Sequence, residues 1–400
     1  MTVHIDTADG GRVPFWNDPR YRAIVWQVLT IAIIFLGIWY LVGNTTRNLE
    51  ERNIATGFGY FDREAGFEIS ESVIEYSAVE TYGRAFLVGV LNTLVIGFLG
   101  IIAASIIGTL IGIARLSNNW LLAKISSAYV EVVRNIPLLL QLFIWYAVLT
   151  ESLPDAREPA SLFGIAYLSN RGFYMAAPLA SPAYLWMGLA LVVAIVGIIA
   201  LQRSADRRQA QTGQRLPVLP YSIALLIGLP LLAWLVSGAP TGWEVPLPPG
   251  HPDGNNFRYV GGSRITPEFM ALFLGLSLYT AGFIAEIVRS GIQAVPKGQF
   301  EAASALGLHP GKVLRLVVLP QALRVIIPPT TSQYLNLVKN SSLAVAIGYP
   351  DVVSVGNTTL NQTGQSIEAI SLFMLVYLTI SLSISAFMNW YNRYIKLVER

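Results

Sequence analysis

The chain has 400 residues, 54% of them hydrophobic and only 13% charged, where soluble domains carry about 25% charged residues. That balance excludes an ordinary soluble fold, and the absence of cysteine excludes a disulfide scaffold, an iron–sulfur site and thiol catalysis. Three dispersed histidines, His4, His251 and His309, argue against a metal centre, and the net charge of +3 reads as membrane orientation rather than nucleic-acid affinity.

Residues 1–20 are polar and interrupted by Asp6, Asp9 and Asp18, and the apolar run behind them is too long for a signal-peptide core. It reads as an uncleaved first span, with Trp16, Trp26 and Trp39 as interface anchors or packing residues. A membrane helix needs roughly 20 apolar residues. Eight stretches qualify, at about 22–43, 86–113, 128–149, 183–201, 219–238, 267–290, 322–338 and 369–391, which predicts an all-α polytopic bundle. Pro328 and Pro329 predict a bent or broken seventh span. Residues 340–366 are too polar to cross and suit a re-entrant or interfacial segment.

The loops differ in charge. Residues 44–84 hold four arginines against eight acids, whereas residues 202–217 hold Arg203, Arg207, Arg208 and Arg215 against Asp206 alone. Arg115 and Lys124 mark another basic turn, and Arg393, Lys396 and Arg400 the C-terminus. With every basic segment inside, both termini are cytoplasmic. The organisation read from this is a tail, first span and acidic loop over 1–85, a first core part over 86–150, an insertion with two extra spans over 151–266, a second core part over 267–392 and a tail over 393–400. The inserted spans lack acids and bases and read as lipid-facing structure, and the proline-rich loop 239–252 as a stiff outer surface.

Residues 291–320 fall between two spans on the inside. Gln299 to Leu306 is composed of helix formers with Glu301 in an early turn, where the helix dipole favours negative charge. Gly307 permits a left-handed or close-packed turn, His309-Pro310 ends the helix, and Lys312 to Val318 resumes a helical pattern. An amphipathic segment of this kind either rests in the headgroups or presents one face to a partner.

Within the spans, Glu131 with Arg134 and Glu286 with Arg289 share a spacing of three, which puts each pair on one helix face. They line a pathway near its cytoplasmic end, or lock helix ends and snorkel to the headgroups. Gln141, four residues after Pro137, can meet a zwitterionic substrate or bond a neighbouring helix. Asn92, Thr93, Gln333, Asn336 and Lys339 are further pathway candidates.

Residues 301–320 also fit the pattern E-A-A-x-x-x-G-x9-[IV]-x-L-P at Glu301, Ala302, Ala303, Gly307, Val317, Leu319 and Pro320. In this the chain resembles the permeases of ATP-binding-cassette importers, in their polar-amino-acid branch. Residues 88–116, 129–146, the run Ala285–Ile292 with Val295–Gln299, Leu319–Arg324 and Leu337–Leu343 are similar to further signatures of that branch; Asn340 and Ser341 depart from its usual Asp and Thr. The enlarged layout resembles the general L-amino-acid permease subunits of Gram-negative bacteria. The resemblance implies an importer channel for polar L-amino acids in the bacterial inner membrane, working by alternating access without chemistry on the substrate. It also implies a cytoplasmic ATPase dimer coupled at Glu301, Ala302, Ala303, Gly307, Leu319 and Pro320, a second permease in a heterodimer, and a periplasmic amino-acid-binding protein. No G-x4-G-K-[ST] phosphate loop is present, so ATP-Mg is expected on the partner ATPase and no cofactor on this chain. The rival expectation is an ion-coupled secondary amino-acid transporter, which calls for inverted repeats with paired broken helices.

Overall fold

The computed structural model describes residues 19–52, 56–214 and 216–395. The expectations for the tail 1–18, for Arg215 and for Lys396 and Arg400 lie outside these residues. In chain order the helices are α1 Pro19–Glu51, α2 Tyr82–Ala114, α3 Trp120–Asn135, α4 Leu138–Glu151, α5 Pro182–Thr212, α6 Val218–Val236, α7 Pro267–Gln293, α8 Lys297–Ala305, α9 Pro310–Val313, α10 Leu319–Asn340, α11 Val352–Thr363 and α12 Ser366–Ile395. Seven helical stretches are long and apolar enough to cross a membrane, or eight if α3 and α4 make one bent span.

The core forms around α7, which packs against α2, α3, α4 and α10. It starts from a Thr266 N-cap whose side chain accepts from Phe269 N, with Pro267 in the first turn, where its missing N–H costs nothing. The packing partner α2 presents a stripe of small residues at helical spacing, Gly89, Thr93, Gly97, Gly100, Ala104, Gly108 and Gly112, all buried. Small side chains let helices approach closely, and dispersion contacts replace the hydrophobic drive that lipid does not supply. Along that stripe Gly89 meets α11 at Val352 and Val355, Gly97 and Gly100 meet α10 at Val338 and Leu337, and Gly108 and Gly112 meet α7 at Ile284 and Val288, while α12 packs on α10 and α11.

The expected third span departs from a straight helix. α3 and α4 meet at 107°. Ile136 is forced extended (φ −98, ψ 127) as the residue before Pro137, which then opens α4. At 16 and 14 residues, neither helix spans a hydrocarbon core of about 30 Å at 1.5 Å per residue. The seventh span corrects the opposite way: α10 runs unbroken through Pro328 and Pro329. Beside those rings the Thr330 and Thr331 hydroxyls donate to the Ile326 and Ile327 carbonyls one turn back, at 2.8 and 3.0 Å, which satisfies the hydroxyls within the helix.

Residues 340–366, too polar to span, form a short 3₁₀ turn and α11, whose Val352, Val355 and Thr359 are buried against α2 and α12. The loop after α1 folds over the head of α2, where Tyr60, Tyr82, Phe86 and Val352 form a second core. Burial pushes the Glu71 carboxyl up from its ordinary value, and its Oε2 accepts from Thr266 Oγ1 at the head of α7.

The insertion contains more than its two spans. Short strands β1 Ala160–Leu162, β2 Ala166–Ser169, β3 Gly172–Met175 and β6 Ser263–Ile265 form an antiparallel sheet in the order β1-β2-β3-β6, beside a pair of β4 Ala177–Pro178 with β5 Trp243–Glu244. β6 runs through Thr266 directly into α7. α5 and α6 pair with each other and supply no residue to either core cluster. The apolar window of α1 is wholly exposed.

Candidate ATPase-coupling site

Between α7 and α10 the chain makes a compact bracket. Val295, Ala303, Val313 and Val318 are buried into the main core, with Leu308 and Val317 packed against it. The opposite face carries Glu301, Ala302, Ser304 and Ala305, all exposed, and ends at Leu306, which is 81% exposed. α8 stops at Ala305 and Gly307 takes φ +76, the left-handed conformation that a residue without Cβ adopts freely. No atom lies within 4 Å of where a Cβ on Gly307 would stand, so the glycine is needed for conformation and not for space. Its N–H donates to Ser304 O at 2.9 Å, and Leu308 N to Ala303 O at 3.3 Å, closing the turn on the end of α8.

His309 caps α9 through its side chain, and residues 314–318 form a single π-helical turn into α10. Such turns are local interruptions found frequently at functional sites. Leu319 is exposed and Pro320 half-buried in the first turn of α10, where the missing N–H is harmless. Gln321 Nε2 donates to Gln299 Oε1 at 3.3 Å and so ties the start of α8 to the start of α10. One face of the bracket is therefore seated in the bundle, and the other offers an acid, small residues and an unshielded leucine. Leu306, filling an unspecified position of the motif, was not singled out from sequence; its apolar character at the end of a polar helix was the available signal.

A charged cleft of about 410 Å³ lies above the bracket, lined by Arg115, Glu131, Arg134, Phe283, Glu286 and Arg289 among others. Glu286 pairs with Arg289 on its own helix, with Nε to Oε2 at 3.3 Å, and also with Arg115 at the C-cap of α2. Arg289 passes a further bond to Gln293 Oε1 at 2.7 Å. The clamp thus joins α2 to α7 within two turns of the coupling bracket. The expected Glu131–Arg134 pair is corrected: no ion pair joins them among the described residues, both are exposed, and the Arg134 guanidinium lies 5.1 Å from the Phe283 ring centroid instead. A ring face offers a cation an electrostatic partner without fixing a carboxylate. Arg115, read from sequence only as an orientation charge, is the residue that spacing on one helix could not reveal.

The Arg115 side chain is 12% exposed and that of Glu286 26%. A double-mutant cycle of Arg115→Ala and Glu286→Ala is expected to show about 1 kcal/mol of coupling in thermal stability, below the value for a fully buried pair because solvent screens the acid. Effects that add to within about 0.3 kcal/mol would contradict the clamp.

The pathway candidates separate by environment. Gln141 is buried, and both protons of its amide are taken: Nε2 donates to Val133 O at 2.8 Å and Ile136 O at 2.9 Å. It braces the α3–α4 bend, so its donors serve the second of the two roles read from sequence, bonding to a neighbouring helix, and not the first, contact with substrate. Gln141→Leu leaves both carbonyls of the bend without these donors, at an expected cost of about 2 kcal/mol. The thermal midpoint of the purified protein reads this directly, and an unchanged midpoint counts against the brace. Asn92 and Thr93 are likewise occupied, Asn92 Nδ2 donating to Glu71 O and Pro350 O at 2.8 and 2.9 Å and Thr93 Oγ1 accepting from Val352 N at 3.1 Å. Asn336 and Lys339, by contrast, are exposed on one stripe of α10 with Pro329 and Ser332; Gln333 lies half-buried beside it.

The described residues thus form a polytopic helical bundle with a bracket presented between two of its core helices. Residues 194–396 match the family described as "Binding-protein-dependent transport system inner membrane component", and the chain belongs to that family. It is 54% identical to the "General L-amino acid transport system permease protein AapQ" of Rhizobium johnstonii, over 96% of this chain and 94% of that one. It is 51% identical to the "Putative amino-acid ABC transporter permease protein YhdX" of Escherichia coli, over 98% of each chain. Among solved structures, one described as "Crystal structure of an amino acid ABC transporter with histidines" is 19% identical and aligns over 78% of this chain and 95% of that one, with a TM-score of 0.45.

Proposed function

We propose that the chain forms part of the transmembrane channel of an ATP-binding-cassette importer for polar L-amino acids, accepting substrate from a periplasmic binding protein. The observation that carries this reading is the α8–Gly307 bracket, seated in the core by Ala303, Val313 and Val318 and exposed along Glu301, Ala302 and Leu306. A cytoplasmic ATPase dimer engages that exposed face and binds ATP-Mg, which supplies the free energy. This chain binds no cofactor and performs no chemistry. When the ATPases close, the bracket moves as a unit because it is tied to both α7 and α10. α7 carries the displacement along its length and, through the Glu286–Arg115 clamp, shifts α2 with it.

The substrate class rests on the names of the relatives, two of which cover nearly the whole chain. The pathway runs past the exposed stripe Ser332, Asn336 and Lys339 of α10, completed by a second, non-identical permease. The charge distribution of the loops supports an inner-membrane location with the bracket and both termini on the cytoplasmic side. Proteoliposomes holding the assembled complex test the reading. Uptake of radiolabelled L-glutamate or L-glutamine is expected only with ATP inside and binding protein outside; uptake driven by an ion gradient without ATP would overturn it.

A further inference from the structure

The insertion forms a second polar site on the face opposite the coupling bracket. A cleft of about 370 Å³ is lined by Arg171, Tyr174, Arg258, Tyr259, Gly261 and Arg264. Three guanidinium groups thus border one recess, and no lining residue is an acid. Among the described residues none of the three arginines forms an ion pair. Glu71, the acid whose charge is felt beside Arg264, has its Oε2 bonded to Thr266, and Glu244 lies against Gly261 without pairing to an arginine.

The recess is built by the fold. Tyr174 on β3 and Tyr259 stack with centroids 3.7 Å apart and planes 13° from parallel, giving a flat wall. The Tyr259 hydroxyl donates to Ala156 O at 3.3 Å and fixes the ring. Arg171 Nη1 donates to Phe257 O at 2.9 Å. Arg264 donates from Nε and Nη2 to Arg171 O at 3.3 and 3.1 Å, with its guanidinium 5.7 Å from the Tyr174 centroid. Two of the arginines are therefore held in place by the backbone while most of their N–H groups stay unused. Arg258 makes no hydrogen bond or ion pair to any described residue and is exposed. Clustered like charges oppose folding unless a counter-charge relieves them, and planar guanidinium groups match carboxylates in paired hydrogen bonds.

We propose that this cleft binds a small dicarboxylate of four or five carbons. Its size suits a ligand of that class, since small-molecule sites begin near about 300 Å³. Its excess of positive charge, three arginines against Glu244 beside Gly261 and Glu71 near Arg264, favours a dianion over a zwitterion. The site reaches the rest of the molecule through β6: Arg264 lies two residues before the Thr266 cap of α7, and β3 packs against α7. An occupant held by Arg264 therefore steadies the outer end of the helix whose inner end carries the coupling bracket.

Isothermal titration of succinate and glutarate into the assembled transporter in lipid nanodiscs tests the site. Arg258→Ala is the first variant because that side chain holds nothing else in the fold; Arg264→Lys keeps the charge and loses the paired geometry. Saturable binding is expected, weakened at least about tenfold in Arg258→Ala and absent for the neutral diamide succinamide. Binding unchanged in both variants, or equal binding of the diamide, would overturn the proposal. So would a result in which no dicarboxylate binds but Arg258→Ala weakens docking of the binding protein, which would assign the cleft to a protein interface.

Discussion

Replacing Gly108 or Gly112 by leucine is expected to stop the chain from accumulating as a folded protein, with the monodisperse peak in detergent falling at least about tenfold. A Cβ on Gly108 would stand 2.7 Å from Ile284 Cβ and 2.9 Å from the Ala281 carbonyl oxygen, and one on Gly112 2.7 Å from the Ala285 oxygen and 2.8 Å from Val288 Cβ. Two of those neighbours are backbone atoms of α7, so a larger residue can fit only by moving the central helix. Overpacking of this sort costs about 3 kcal/mol or more. Replacing a helical glycine returns only about 1 kcal/mol in helix propensity, so the clash decides the sign. Gly188 on α5 is the control: nothing lies within 4 Å of its Cβ position, and Gly188→Leu should leave the peak intact. Loss of folded protein with Gly188→Leu but not Gly108→Leu would mean that α2 and α7 do not meet as described.

Gly307→Val has its effect elsewhere. A left-handed conformation costs an ordinary residue about 1–2 kcal/mol, and a β-branched one more. With open space around the site, that penalty falls on the turn alone and leaves the bundle intact. A shift of this size changes a conformational ratio by about 5- to 30-fold. ATP-driven uptake is therefore expected to drop about tenfold while the amount of folded chain stays normal. Gly307→Asn should retain most of the uptake, because asparagine tolerates the left-handed region. Equal transport by valine and asparagine variants would show that the conformation of the turn is unimportant.

Much of this architecture is legible in the sequence because apolar length and loop charge respond to the bilayer, which acts on every residue alike. The turn of the bracket was readable for a different reason, since Gly307 permits a left-handed conformation that few other residues adopt and Pro310 ends the helix before it, whereas its coupling role was implied only by the family resemblance. What the sequence did not yield depended on tertiary partners. Only the Pro328–Pro329 pair reads from sequence as a break, yet it is Pro137 that interrupts a helix. There Ile136 is extended and Gln141 supplies donors to the bend, whereas α10 stays helical and Thr330 and Thr331 bond to its carbonyls. The partner of Glu286 on another helix was likewise out of reach, since local spacing suggests only Arg289. The stripe from Gly89 to Gly112 was present in the sequence at spacings of three and four, and it marks the face of α2 that packs on α11, α10 and α7 more sharply than hydropathy does. The strands of the insertion are only two to four residues long, too short for alternation to register.

On the proposed function, the exposed face of α8 receives the ATPase. That contact is tested most directly by placing a photo-crosslinking residue at Leu306, whose side chain points away from the core, in membranes containing the assembled complex. A single covalent adduct with the ATPase subunit is expected, abolished when the exposed acid is reversed by Glu301→Arg. Efficient crosslinking at Leu306 to lipid or to the permease partner alone, with the ATPase still bound to the complex, would contradict it.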